Sequence, residues 1–435
     1  MKHIKKIIMA ALCGIMVSGS AFAQQPANAA ERAAVPQNQN AEQDGGCLLE
    51  RDSLFIANAT ESLSQKTGFT PAVSWIGEVW GNVSNANGSD GVHSYLNSMF
   101  VADFQQELSV LGGKEGLGTI GVSAFYYLGS HKDGLGGFAS SQGDFSNIFS
   151  GDMARVFEIY YTNSFETSAG AVSFRAGQLA ADEDFMGMDY SDVFLNSSFG
   201  AIPNVAPMEL FSQYNVAALG VVVSYSKDDF DFSVGLYSGN IGEDVPSNNG
   251  FDYANTFNTF ALWYQLGYNY KIGGLDGRAM IGGNWHSNPS RSNFAAAFDP
   301  ECDNFYSFYA GVQQALINDS EGNAKFGAYA RAGWVPDALA SCQNFYADFG
   351  FNWFAPICCR KDDVFAVGVS LVENERDSRY IDGNAHYETM LEAAYKLQLT
   401  PAISLQPDMQ IYFNPTNRDA DGAIYIIGAR AEVAF

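Results

Sequence analysis

Candidate catalytic side chains are scarce in this sequence. Behind the amino-terminal leader there are four histidines, His93, His131, His286 and His386. A hydrolase needs a nucleophile with a base placed to activate it. His286 is the one histidine at the end of a polar strand face, and no serine near it forms a recognisable motif. We therefore expect a surface or lumen histidine and no catalysed reaction.

Two further motifs could bind a ligand. Gly116-Leu-Gly-Thr-Ile-Gly121 matches the dinucleotide-binding pattern, which needs a preceding strand and a following helix. Here the glycines begin a strand that another strand follows, so we interpret them as a turn. Asp182-Glu183-Asp184 offers oxygen ligands for Ca²⁺ but lacks the spacing of a calcium loop. We expect a solvated or lumen-facing acidic patch, and neither a cofactor nor a metal.

The carboxy-terminal stretch separates into two sets of alternate residues that differ in charge. From Ala423 to Phe435 one set of alternate residues is uncharged, and the other set carries Arg430 and Glu432. Side chains on a strand alternate between its two faces, so this segment is a strand with one apolar and one polar face. Residues 403–414 repeat the pattern. Successive long strands that end on a carboxy-terminal Phe are typical of a transmembrane β-barrel.

The same pattern predicts sixteen strands, an even number, as expected of a bacterial outer-membrane barrel. Connections after even-numbered strands are short and most of those after odd-numbered strands are long, which places both termini in the periplasm. A soluble all-β protein is the alternative class. The predicted strands are 72–83, 95–110, 117–129, 153–163, 169–180, 215–226, 229–239, 258–271, 276–287, 304–316, 323–336, 343–354, 363–373, 385–399, 402–414 and 422–435.

The leader and the composition agree with export to the outer membrane. A basic start, an apolar stretch and Ala21-Phe-Ala23 predict a signal peptide over 1–23 that is cleaved after Ala23. Residues 24–71 then form a periplasmic linker with a short helix within 50–67, and 72–435 form the barrel. The chain has 44 Gly, 14% aromatic residues and a net charge of −25. That charge argues against nucleic acid, whose phosphates need Lys and Arg.

Charged and amide side chains on the polar faces are the candidate pore lining, because a charge facing lipid near the midplane costs a few kcal/mol. Arg175, Arg331 and Arg430 lie inside their strands and are the predicted constriction cations. Aromatic rings on the same face suit stacking on sugars. Each of these residues has an alternative role, pairing with another charge to hold the wall. The full set of candidates is Arg155, Glu158, Arg175, Trp263, Gln265, Arg331, Asp408, Gln410, Arg430 and Glu432.

The longest predicted loop, 181–214, is too apolar for a loop exposed to water. It begins with the acidic run Asp182, Glu183 and Asp184 and continues through several Phe and Met residues. A wide barrel is open unless something narrows it, and long loops with apolar residues are usually functional. We predict that this loop folds inward and forms part of the constriction. A surface flap is the alternative.

Five cysteines lie beyond the leader, which is an odd number for an oxidising compartment. The predicted topology places Cys302 and Cys342 at the extracellular ends of their strands, and Cys358 and Cys359 in a periplasmic turn. A Cys302–Cys342 disulfide is therefore allowed, whereas a Cys342–Cys358 bridge would have to cross the membrane.

Several stretches together resemble the carbohydrate-selective porins of the OprB family. The closest are Ala176-Gly-Gln-Leu-Ala-Ala-Asp-Glu-Asp-Phe185, Phe194-Leu-Asn-Ser-Ser-Phe-Gly200 and Leu405-Gln-Pro-Asp-Met-Gln410. The likeness runs from about Leu48 to Phe435. It implies a sixteen-stranded barrel, an amino-terminal periplasmic helical segment and diffusion of monosaccharides through an arginine-bearing eyelet. It also accounts for Pro407 inside a strand.

The sequence thus predicts an all-β chain that forms a 16-stranded antiparallel transmembrane β-barrel with a short amino-terminal periplasmic segment. Its expected function is passive diffusion of small sugars across the outer membrane. One alternative is a general or cation-favouring porin, and a second is a barrel hydrolase. The expected partners are outer-membrane lipid and small sugars, with a homotrimer as a candidate assembly because porins commonly form trimers.

Overall fold

The structure, a computed structural model, describes most of the chain after residue 56. The described residues are 57–84, 93–130, 135, 138–208, 210–242, 247–253, 256–289, 303–336, 343–357, 360–374, 386–415 and 422–435. The predicted signal peptide, residues 24–56 of the predicted linker segment, His131 and all five cysteines beyond the leader, including Cys302 and Cys342, lie outside them. Among the described residues, no helix is both long and apolar enough to cross a membrane.

All sixteen predicted strands are confirmed, and no strand end differs by more than four residues from its prediction. The strands are β1 Phe69–Asn82, β2 His93–Glu107, β3 Thr119–Gly129, β4 Met153–Thr167, β5 Gly170–Leu179, β6 Ala218–Lys227, β7 Phe230–Ser238, β8 Phe260–Ile272, β9 Leu275–Ser287, β10 Asn304–Asn318, β11 Ala324–Trp334, β12 Gln343–Phe354, β13 Val364–Asn374, β14 Tyr387–Thr400, β15 Ile403–Phe413 and β16 Ile424–Ala434.

Two short helices lie beside the strands. Helix α1, Ala57–Thr67, precedes β1 and ends at Gly68, whose φ of 70° is a conformation that glycine adopts readily. Helix α2, Leu108–Gly112, follows β2. Gly116 and Gly118 of the glycine motif have φ of 74° and 75° and form the turn between α2 and β3. The motif therefore enters a strand and not a helix.

The strands close into an antiparallel barrel in which every strand pairs with its sequence neighbours and β1 pairs with β16. Strand β15 shows how the sequence pattern fits the wall. Its Gln406, Asp408, Gln410 and Tyr412 are buried inside, whereas Leu405, Met409 and Phe413 are exposed on the outer face. The uncharged face thus meets lipid and the polar face points into the barrel.

The interior is filled by chain that folds in from the loops. The connection from β5 to β6, residues 180–217, is called the inner loop here; residue 209 in it is not described. Its apolar side chains form one core with the inner faces of β6 to β13 and contribute to a second core under β11 to β16. The prediction that this loop folds inward agrees with these contacts.

Candidate functional site

The inner loop begins at a cluster of ionisable side chains, Glu158 on β4, Arg175 on β5 and Asp184 of the loop itself. Arg175 lies 2.8 Å from Asp184 and 3.2 Å from Glu158, and its guanidinium stands 4.6 Å from the centre of the Tyr160 ring. Glu158 also accepts the backbone N–H of Ala180 at 2.9 Å. The cluster therefore fastens the first residues of the loop to the wall.

The carboxyl group of Asp182, next to this cluster in the chain, has a raised pKa. Burial, together with the neighbouring Glu183 carboxylate, raises the pKa of its carboxyl to about 8, although the backbone N–H of Tyr214 acts in the opposite direction. That N–H donates to Asp182 Oδ2 at 3.0 Å. The bond joins the start of the inner loop to its end.

The middle of the loop crosses to the opposite side of the barrel. Met186 N–H donates to Gln265 on β8 at 3.0 Å. Asn196 Nδ2 donates to Tyr412 on β15 at 2.6 Å and to Gln410 at 3.2 Å. The loop is thus bound to the wall on both sides of the lumen.

Arg331 on β11 has its side chain completely buried against the loop. Its guanidinium donates to Phe199 O at 2.6 Å and to Gly200 O at 2.7 Å, and its salt bridge to Asp348 is 2.5 Å long. The contacts also include Met186 O and Ser198 O. Every one of these partners is either the loop backbone or the neighbouring strand.

A second segment, residues 138–152 between β3 and β4, also folds inward; we call it the second loop. Glu388 in the first residues of β14 is fully buried and accepts Ser140 Oγ at 2.5 Å, Ser141 Oγ at 2.6 Å and Ser141 N at 2.9 Å. Arg430 on β16 donates to Asn147 of this loop at 2.5 Å. The inward path of this second loop was not predicted from the sequence.

The two inward loops also bind each other. Asn147 N–H donates to Leu195 O at 2.6 Å, and Ser197 N–H donates to Asp144 O at 3.0 Å. Phe145 packs on Trp80 and Tyr95 with ring centres 5.4 Å and 5.8 Å apart. Together the loops cover the inner wall on the β12 to β2 side.

The remaining predicted lining residues also lie on the inner face, and most of them contact loops. Arg155 donates to Asn248 O at 3.0 Å and to Asn215 O at 2.9 Å. Trp263 is fully buried under Phe185, whose ring stacks on it at 5.5 Å. Asp408 accepts Gln410 Nε2 at 3.1 Å.

Glu432 pairs with Lys396 at 3.3 Å on the inner wall, and Arg430 pairs with Glu78 at 2.5 Å. Glu78 on β1 was missed in the sequence, because it is the single acid on a strand whose inner face otherwise carries Ser, Ile, Trp and Asn. His286 is also fully buried, and its Nε2 lies 2.7 Å from Gly239 O.

The charged side chains that are accessible inside the barrel are not the arginines that the sequence predicted as constriction cations. The side chains of Arg175, Arg331 and Arg430 are at most 8% exposed, and all three pair with carboxylates. On the inner loop, by contrast, Asp189 is exposed, and Glu183 and Asp192 are partly exposed. The accessible edge of the loop is acidic.

A closed sixteen-stranded barrel with lipid-facing apolar residues and loops folded into its lumen defines an outer-membrane porin. The carbohydrate-selective porin model of the OprB family matches residues 64–435, and the chain belongs to that family. No curated protein matches the sequence.

Two solved structures are similar in fold. The high-pH structure of Pseudomonas putida OprB has a TM-score of 0.71 and 17% identity, over 87% of this chain and 96% of that one. The low-pH structure of the same protein has a TM-score of 0.55 and 13% identity, over 89% and 99% of the two chains.

Proposed function

We propose that this porin passes monosaccharides passively from the outside to the periplasm, along the acidic edge of the inner loop. The observation that carries the proposal is the crossing of the lumen by a loop that is bound at both walls. A bound loop leaves a narrowed polar passage, where a solute contacts side chains instead of bulk water.

The chemistry of the accessible edge suits sugar hydroxyls. Glu183, Asp189 and Asp192 present carboxyl oxygens, which accept hydrogen bonds from hydroxyl groups. The partly exposed ring of Tyr160 lies beside Arg175, which pairs with Asp184 at the start of the loop, and the ring offers an apolar surface to the C–H groups of a sugar. Arg175, Arg331 and Arg430 contribute indirectly in this proposal, by fixing the acids and the loops.

The proposal is tested by swelling of vesicles that contain the purified protein. We expect rapid swelling in an isosmotic monosaccharide and slow swelling in a trisaccharide. Equal rates for both sugars would point to a wide general pore, and swelling no faster than in empty vesicles would contradict the proposal.

A cation-favouring pore is the second candidate, and one specific observation supports it. The carboxylates at the loop edge meet solvent, whereas Arg175, Arg331 and Arg430 are buried in ion pairs. Such a surface raises the local concentration of cations. A reversal potential in a KCl gradient decides the point, because its sign reports which ion crosses faster.

The remaining expectations have their own tests. The hydrolase alternative rested on His286, whose ring is buried and bonded to a backbone carbonyl, so we propose no reaction at it. Assembly as a homotrimer stays a prediction. Chemical crosslinking in intact outer membranes, with the masses of the products measured, tests it.

A further inference from the structure

The apex of the inner loop, residues 194–200, lies between two buried side chains of opposite charge. Glu392 on β14 is 0% exposed and accepts Leu195 N–H at 2.6 Å and Asn196 N–H at 3.1 Å. The Arg331 side chain on β11 is 0% exposed and donates to the carbonyls of Phe199 and Gly200. The acid thus meets the amides at the start of the apex, and the base meets the carbonyls at its end.

The backbone conformation of the apex explains this arrangement. Residues Ser197–Phe199 form one turn of 3-10 helix, and the Asn196 side chain accepts the N–H of Ser198 at 3.0 Å. A helical turn leaves unpaired N–H groups at its start and unpaired C=O groups at its end. Buried backbone groups need partners. Glu392 bonds the N–H of Asn196, which caps the turn, and of Leu195 before it, whereas Asp144 O and the Asn196 side chain bond the N–H groups of Ser197 and Ser198. At the end of the turn, Arg331 bonds the carbonyls of Ser198, Phe199 and Gly200.

We propose that Glu392 and Arg331 act as a charge clamp that sets the position of the inner loop in the lumen. Both are positioning residues, because each acts on a solute through the loop. The effect of the clamp on the width of the passage rests on the proposed function. The clamp itself can be tested without any sugar.

The clamp holds the loop at one height because the apex also fits the wall by shape. Phe194 and Phe199 pack with ring centres 4.3 Å apart. A Cβ added to Gly368 on β13 would lie 2.8 Å from Phe194 and 2.9 Å from Phe199, so this glycine makes room for both rings. The rings fix where the apex rests, and the charges satisfy its backbone there.

The test compares Arg331→Gln and Glu392→Gln with a matched control, Arg278→Gln. Arg278 is also an inward arginine in a salt bridge, to Asp231 at 2.7 Å, and its bonds in the described chain go to side chains of the wall. The readout is amide hydrogen exchange of the full-length protein in micelles, measured together with heat-modifiable mobility, which shows that the barrel is closed.

We expect exchange of the amides in 194–200 to become about tenfold faster or more in each clamp variant, because local opening becomes easier. Exchange in β1 stays unchanged, and the control leaves the apex unchanged. Single-channel conductance in salt also changes in the clamp variants. If Arg331 and Glu392 only stabilised the barrel wall, their replacement would not accelerate amide exchange selectively in the apex.

Apex exchange that is unchanged in both clamp variants would overturn the proposal, as would equal acceleration in Arg278→Gln. Where Arg331→Gln fails to close the barrel, Arg331→Lys serves, because lysine keeps the charge but has fewer donors. It should accelerate apex exchange by a smaller factor, and no acceleration would count against the clamp. Sugar transport and apex exchange can also disagree. If the wild-type protein shows no sugar transport while apex exchange accelerates in the clamp variants as expected, the proposed function is rejected and the clamp is retained.

Discussion

Replacing Arg430 by Met should weaken the closure of the barrel. Arg430 on β16 and Glu78 on β1 are directly paired across the seam between the last strand and the first. Arg430 Nε lies 2.6 Å from Glu78 Oε1, and the two side chains are 4% and 0% exposed. Glu78 also accepts Trp80 Nε1 at 2.8 Å and Asn97 Nδ2 at 2.9 Å.

The expected loss follows from the buried carboxylate that Met leaves behind. Two neutral donors remain on Glu78, but its compensating charge is gone. Breaking a buried ion pair by removing one partner destabilises a protein by about 3–5 kcal/mol. The double variant Glu78→Gln, Arg430→Met should lose less than Arg430→Met alone, because no unpaired charge is left in the wall.

The assay is urea unfolding of the protein in lipid vesicles, followed by tryptophan fluorescence. Lys271→Met is the control, since Lys271 pairs with Asp276 at a site where both side chains are more than two-thirds exposed. Exposed pairs contribute about 0–1 kcal/mol, so the control should unfold almost like the wild type. If Arg430→Met unfolds at the same urea concentration as the control, the seam pair does not stabilise the barrel as argued.

Three further predictions concern the loops. Phe185→Ala removes a ring stacked on Trp263 and should lower the free energy of unfolding by about 3–5 kcal/mol, measured by the same urea assay, with an unchanged midpoint as the contrary result. Asp182 has a raised pKa in the folded protein, so wild-type stability should fall as pH rises from about 4 toward about 8. Asp182→Asn should weaken that fall, and identical slopes in the two proteins would contradict it. Cys302 and Cys342 should appear in one disulfide-linked peptide in a non-reducing digest; a Cys342–Cys358 link would contradict the predicted pairing.

The strands could be predicted because lipid and lumen impose opposite demands on alternate residues. Asp408 and Leu405 have opposite polarity because they lie on opposite faces, and this alternation of residue types can be recognised in the sequence. Even Pro407 fits, since its side chain points outward and it pairs with Ala429 in the β15–β16 ladder. The inward path of the inner loop was predictable for a similar reason, because its Phe and Met residues need a buried place.

The partners of the charged residues could not be predicted, because they come from chain that is distant in sequence. Arg331 stands on a polar face in the same way as Arg278, yet one bonds to backbone carbonyls about 130 residues away and the other to its own wall. Sequence periodicity predicts which face of a strand a residue lies on, but it does not predict which loop packs against that face. The contacts of the second loop with Glu388 and Arg430 were hidden in the same way.

Single-channel conductance in a planar bilayer, titrated with glucose, tests the central claim most directly. The account predicts a block of the ionic current that saturates with sugar concentration and weakens when Asp189 and Asp192 at the loop edge are both replaced by Asn. A current that falls only in proportion to the viscosity of the solution would contradict sugar binding in the lumen and leave a general pore.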